Sequence, residues 1–212
     1  MRPRAVIFDF NGTLSRDEPI LCEIFQELFA EHGRPLSTQE YYDELAGLSD
    51  PEIVRTWLGR DHPAVDEVIE QRIQRYRARV ADGSSVPHEV REAVAYAAAR
   101  VPVGVVSGAA RAEITPVLEA AGLDEHVSFV VAAEDVERGK PHPDGYERAV
   151  ALLDLEPGDV LVVEDTEAGI ASAKAAGTRT VAVLGTLAPE RLGRADEIVP
   201  AVDVALMQRL LE

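Results

Sequence analysis

The sequence predicts an α/β fold, a Rossmann-like parallel sheet flanked by helices, with an inserted helical cap domain. Three observations carry this. Over residues 83–212, short β-branched runs that are apolar at every position alternate with helix-period segments, the pattern of strands buried on both faces of a parallel sheet. Residues 16–82 break the alternation with helical patterns and no convincing strand. A length of 212 residues exceeds one minimal domain and falls short of two large ones, which suits a core with a modest insertion.

The first strand is 5–8 (AVIF). Helical patterns follow at 18–32, 38–46, 51–58 and 64–80, punctuated by Gly33-Arg34-Pro35, Gly47 and Gly59. The single cysteine, Cys22, falls among Ile20, Leu21, Ile24 and Phe25, so it reads as a buried apolar thiol. Trp57 reads as packing within this helical part. A helix over 87–100, with Pro87 in its first turn, leads to a strand at 101–106. A helix over 111–122 closes at Gly122 before a strand at 127–132. Pro143 opens a helix over 143–153, and a strand follows at 160–163. The helix over 166–176 ends at Gly177, and runs at 180–184 and 197–199 complete six strands. The expected division is therefore a core domain of 1–15 and 83–212 and a helical cap domain of 16–82.

Thirty-eight acidic against twenty-one basic side chains leave a net charge of −17. Residues 16–82 hold fifteen acids and eight bases, so the acidity is spread over both parts rather than held in a tail. That balance argues against nucleic acid or an anionic membrane as partner, since both require a basic face. The apolar run near the start is too short for a signal segment, and no stretch approaches ~18 uninterrupted apolar residues. A soluble, cytoplasmic protein is expected. Of the basic residues only Lys140 and Lys174 are lysines.

Ligands of open parallel sheets collect beyond the carboxyl ends of the strands, and four strand ends here carry polar residues. The first continues as Asp9-Phe10-Asn11-Gly12-Thr13-Leu14, which suits an exposed nucleophile or metal ligand and equally an ordinary turn. Ser107-Gly108 offers a hydroxyl and a flexible amide to a phosphate oxygen, or simply a turn. Gly139-Lys140-Pro141-His142-Pro143 stiffens the backbone around one ammonium, or marks a surface lysine at a helix start. Glu164-Asp165-Thr166 sets two carboxylates at a buried strand end, costly unless compensated, where Asp165 or Thr166 is also an apt helix cap. Each signal is weak singly; together they fall where a parallel sheet gathers them on one edge.

With residues 9–14 as a first motif, Ser107 as a second, Lys140 in GKPHPDGY as a third and Glu164-Asp165 in VVEDTEAGIASAKAAG as a fourth, nearly the whole chain resembles the haloacid dehalogenase-like hydrolase superfamily. The helical insertion resembles the small cap of its phosphoglycolate phosphatase and β-phosphoglucomutase branch. The resemblance implies a Mg²⁺-dependent phosphomonoester hydrolase that acts on a small phosphorylated metabolite through an aspartyl phosphate. Asp9 would be the nucleophile. Mg²⁺ would bind Asp9, the backbone carbonyl of Asn11 and Asp165, with Glu164 direct or through water. Ser107, Thr13 and the amides around Gly12 and Gly108 would hold phosphoryl oxygens, and Lys140 would pair with the nucleophile and the transferring group. Oligomeric state is left open.

One position departs from the family. Its phosphatases usually carry Asp where this chain has Asn11, and that carboxyl protonates the leaving alkoxide and then activates water. Asn exchanges no proton, and general acid–base help is worth roughly 10²–10⁴-fold. Three explanations stand: a substrate with a good leaving group; another proton donor, with Asp17, Glu18, His32 and His62 as candidates; or a weak or silent relative that binds phosphorylated ligands. Other branches fit less well. A Schiff-base hydrolase of the phosphonoacetaldehyde type needs a cap lysine, and residues 16–82 have none. A haloacid dehalogenase needs no metal, whereas Glu164-Asp165 call for a cation. A phosphomutase like β-phosphoglucomutase places Arg where Asp50 falls in the Gly47-Leu48-Ser49-Asp50 loop. The five histidines (32, 62, 88, 126, 142) show no metal-cluster spacing.

Overall fold

A computed structural model describes residues 2–212. Strands β1 (Ala5–Phe8), β2 (Val103–Val106), β3 (Phe129–Val131), β4 (Val160–Glu164), β5 (Arg179–Val183) and β6 (Glu197–Val199) form one sheet, parallel throughout, in the order β3-β2-β1-β4-β5-β6. Every residue of β1, β2 and β4 is buried, which is why these runs carry no polar face. Alternate side chains feed two cores: Val6 and Phe8 enter one, Ala5 and Ile7 the other. From β1 the chain steps outward through β2 and β3, then returns to the far side of β1 for β4. The reversal opens a crevice beyond the ends of β1 and β4, the usual ligand position in such sheets. Phe8 pairs with Val163 across that boundary, so Asp9 and Glu164 leave adjacent strand ends together.

Between β1 and β2 the chain forms α1 (Glu18–Glu31), α2 (Thr38–Glu40) running into a π turn (Tyr41–Leu45), α3 (Asp50–Leu58), α4 (Val65–Val80) and α5 (His88–Ala98). Later come α6 (Arg111–Ala120), α7 (Asp144–Leu153), α8 (Glu167–Ala175) and α9 (Val204–Leu211). Tyr146 and Ala149 of α7 and Ala173 of α8 cover one sheet face; Val90 of α5, Ile114 of α6 and Met207 of α9 belong to the core on the other. Gly122 and Gly177 end α6 and α8 at φ +69° and +81°, the left-handed conformation that closes a helix most cheaply in glycine. The helix expected over 38–46 proves to be α2 and the π turn. Helix α9 was not anticipated: Asp203 caps it by accepting the Leu206 N–H at 2.7 Å, and Leu206, Met207, Leu210 and Leu211 are buried.

Helices α1 and α3 both pack against α4. Ser37 and Glu40 form a reciprocal capping box at the start of α2, and Glu52 reaches back to accept the Ser49 N–H and hydroxyl at the start of α3. Phe25, Phe29, Tyr41 and Trp57 stack in series with ring centroids 5.4–6.3 Å apart, contacts worth about 0.5–1.5 kcal/mol each beyond their buried area. Cys22 is buried, and burial raises its thiol pKa. No described helix is long and apolar enough to cross a membrane.

Candidate active site

The turn after β1 holds Asp9, buried, at the sheet edge. Gly12 makes the turn possible at φ +76°, and a Cβ there would stand 1.9 Å from Asp165 Oδ2. Lys140 reaches in from the β3–α7 connection. Its ammonium donates to Asp9 Oδ1, to Glu164 Oε1 at 2.5 Å and to the Val106 carbonyl at 3.3 Å. Glu164 Oε1 also accepts the Tyr146 hydroxyl at 2.8 Å. Its Oε2 accepts the Asp165 N–H at 2.9 Å and, at 3.2 Å each, the Thr166 N–H and hydroxyl. Thr166 in turn caps α8, accepting the Gly169 N–H at 3.1 Å. Asp165 Oδ1 accepts the Thr13 hydroxyl at 3.2 Å, while its Oδ2 is buried without a well-formed hydrogen bond.

Oxygens of Asp9, Glu164 and Asp165 lie within 4.8 Å of one another, and one ammonium faces all this charge. Burial pushes the Asp9 carboxyl up to about 7 even though Lys140 pulls it down. Burial, with Asp9 and Glu164 as neighbours, holds Asp165 well above the usual carboxylate range. At Glu164 burial is outweighed by Lys140, so that carboxyl lies below its ordinary value. Burial alone would lower Lys140, but Asp9 and Glu164 more than offset it and keep the ammonium charged. A surplus of hard oxygen donors with one orphaned buried carboxylate oxygen fits a divalent cation of the Mg²⁺ kind.

A cavity of about 640 Å³ opens between this edge and the helices of residues 16–82. Asp9, Asn11, Ser107, Gly108, Lys140 and Asp165 all line it. Ser107 Oγ accepts the Ala109 N–H at 3.0 Å, which leaves its own proton free to donate. Gly12 and Thr13 instead line a neighbouring cavity of about 190 Å³. The Gly12 amide is committed to the Ser15 carbonyl at 2.7 Å and Asp17 Oδ1 at 3.2 Å, as the Thr13 hydroxyl is to Asp165. Asn11 donates from Nδ2 to Asp17 Oδ2 at 2.8 Å and to the Tyr76 hydroxyl oxygen at 3.3 Å. Asp17 is wholly buried behind it and also accepts the Tyr76 hydroxyl. His32 and His62 pack edge to face, centroids 5.4 Å apart, and neither lines either cavity.

Sequence reasoning missed Arg72. On α4 the buried residues Val65, Val68, Arg72, Tyr76 and Val80 form one stripe, and Arg72 is its only charged member. An arginine in that apolar stripe was the available signal. Its guanidinium joins Asp50 at the start of α3 to the buried Glu113 of α6, so the acid standing where a phosphomutase places Arg is paired within the protein. Glu113 has no comparable local signal.

The profile of the haloacid dehalogenase-like hydrolases matches residues 6–183. Validoxylamine A 7'-phosphate phosphatase of Streptomyces hygroscopicus subsp. limoneus is 31% identical over 217 residues, with 92% of each chain covered. Pyrophosphatase PpaX of Bacillus cereus is 30% identical over 88% of this chain and 86% of its own. A crystal structure of a haloacid dehalogenase-like hydrolase from Bacteroides fragilis shares the fold at TM-score 0.85 and 19% identity, covering 97% of this chain and 100% of that one. A match from the first strand to the fifth, with relatives aligned over nearly their full lengths, settles the kinship: the chain belongs to the haloacid dehalogenase-like hydrolase family.

Proposed function

We propose that the protein hydrolyses the phosphomonoester of a small metabolite through a phosphoryl group carried on Asp9. The observation that bears most weight is the Asp9–Lys140–Glu164 contact beside the orphaned Asp165 oxygen, all on one cavity wall. Relatives named as phosphatases support the reaction class. An Asp9 oxygen bonds to phosphorus, the bond to the leaving oxygen breaks, and water then splits the aspartyl phosphate to return Asp9 and inorganic phosphate. Lys140 offsets charge on the transferring group, while Ser107 and the Gly108 amide hold its oxygens. Asp9, the Asn11 carbonyl and Asp165 would hold Mg²⁺, which when bound neutralises the phosphoryl oxygens. Glu164, its oxygens taken by Lys140, Tyr146 and the start of α8, would meet the ion through water.

Residues 1–15 and 83–212 act as the catalytic core in this reading, and residues 16–82 as a cap that excludes water and meets the leaving group. The test is steady-state turnover of acetyl phosphate and p-nitrophenyl phosphate with Mg²⁺. Activity that vanishes in Asp9→Asn is expected; unchanged activity in that variant overturns the nucleophile. Asn11 favours one second reading, a silent relative that binds phosphorylated ligands, and absence of turnover on both substrates would select it.

A further inference from the structure

If the hydrolase reading holds, a leaving group that needs a proton has to take it from elsewhere in the cavity wall than Asn11. Lys140 is committed to Asp9 and Glu164, and Arg72 to two carboxylates. Among the carboxyls lining the main cavity, Asp9 and Asp165 belong to the strand-edge cluster and Asp50 is paired with Arg72. Glu52 accepts the Ser49 N–H and hydroxyl at 2.9 and 2.6 Å, and Glu137 is exposed to solvent. Asp17 does not line the cavity; it reaches it only through the Asn11 amide, which passes no proton. Glu18 remains. It stands in the first turn of α1, half-buried, on the wall of both cavities, with Oε1 fixed by the Tyr41 hydroxyl at 2.9 Å.

We propose that Glu18 is the general acid and base of this site, taking the part that the family resemblance assigns to an aspartate where this chain has Asn11. This rests on the phosphatase reading above. As Asp9 bonds to phosphorus and the ester P–O bond breaks, the Glu18 carboxyl gives its proton to the departing oxygen, which leaves as an alcohol. Water then attacks the aspartyl phosphate and its proton passes to Glu18, restoring the acid with no outside reactant.

The surroundings suit the task. Asp17 and Cys22 lie near it on the same stretch of chain, Tyr41 and Tyr42 face it from the π turn, and Asp165 faces it from the end of β4. Arg16, which shares the smaller cavity, is paired with Glu89 at 3.0 Å. With no base among its perturbing neighbours, burial holds Glu18 up to about 7 against the pull of the Tyr41 hydrogen bond. An acid poised there donates and accepts with similar ease at neutral pH.

The experiment compares wild type, Glu18→Gln and Tyr41→Phe on p-nitrophenyl phosphate and glycerol phosphate with Mg²⁺. Wild type is expected to depend weakly on the leaving group. Glu18→Gln should lose roughly 10²–10⁴-fold in kcat/KM on glycerol phosphate while keeping the p-nitrophenol burst. The fall of wild-type kcat/KM above neutral pH should disappear in that variant. Tyr41→Phe, which removes a hydrogen bond that lowers the Glu18 pKa, should move that fall to higher pH. A Glu18→Gln enzyme with the wild-type rate on glycerol phosphate and the wild-type pH profile overturns the proposal, and Asp9→Asn inactivity alongside it leaves the phosphatase reading standing. A wild type inert on both esters overturns the two together.

Discussion

At the strand edge three buried carboxyl groups, Asp9, Glu164 and Asp165, cluster around one ammonium, that of Lys140, which pairs with Asp9 and Glu164 only. Between α1 and α4, by contrast, Arg75 and Arg79 reach Glu23, Glu27 and Glu31 across a solvated surface. The surface charges are screened and each pair contributes about 0–1 kcal/mol. The edge cluster holds excess negative charge where water does not relieve it, so it gains from an arriving cation. A net charge of −17 therefore describes the surface as a whole, whereas an anion entering the cavity would meet a local field set by Lys140 and the strand-end amides. Between the two regions sits the Asp50–Arg72–Glu113 group, buried like the edge yet better matched in charge, joining α3 and α4 to α6.

The Asp50–Arg72–Glu113 group carries the largest stability effect of the three. Arg72→Leu leaves Glu113 buried without its partner, and urea unfolding should show a loss of about 3–5 kcal/mol. A loss near that of a surface pair would mean the group is solvated after all.

The buried carboxyls of the strand edge and of the segment leading into α1 predict an inverted pH dependence. Asp9, Asp17, Glu18 and Asp165 have carboxyl pKa values raised by burial, with Asp9 and Glu18 reaching about 7. Across the window from their unfolded values near 4 to their folded values, the native state holds more protons than the unfolded one. Stability from these groups is thus full at low pH and is lost as pH rises through the folded pKa, by up to about 1.4 kcal/mol per pH unit for each. Glu164, lowered by Lys140, acts in the opposite sense but only as pH falls below its ordinary range. The unfolding midpoint of metal-free protein should therefore fall between about pH 5 and about pH 8, and millimolar Mg²⁺ should restore it at the upper end. A flat profile, or one that rises, contradicts the charge surplus.

Asn11 and Asp17 sharpen the picture further, because an amide donates where a carboxylate at position 11 would face another 2.8 Å away. Asn11→Asp alone should destabilise, and adding Asp17→Asn should recover part of the loss, with a coupling of about 0.5–3 kcal/mol in thermal or urea unfolding. Additive effects would show that the two side chains act independently. At the small end, Arg79→Ala should cost under about 1 kcal/mol and leave turnover unchanged.

The central strands were the most legible, because burial on both faces leaves β1 and β2 no polar residue and β4 none before its terminal Glu164. Helix α9 was not, being short and dependent on Asp203 for its start. The strand-end positions of Asp9, Ser107 and Glu164-Asp165 were readable since parallel topology sends every strand end to one edge, whereas Lys140 arrives from the connection after β3. Long-range pairing left no local trace: Arg72 meets Glu113 41 residues away, and Tyr76 meets Asp17 59 residues away. Nor does sequence rank Asp17 against Glu18. Successive residues at a helix start point in different directions, and here one turns into the wall and the other into the cavity.

The claim that Asp9 carries the phosphoryl group is tested most directly by acid-quenching the enzyme during turnover of acetyl phosphate and mapping the adduct by mass spectrometry. One phosphoryl group on the peptide containing Asp9, absent in Asp9→Asn together with turnover, is the expected result. Turnover that persists in Asp9→Asn, or an adduct on another residue, would contradict it.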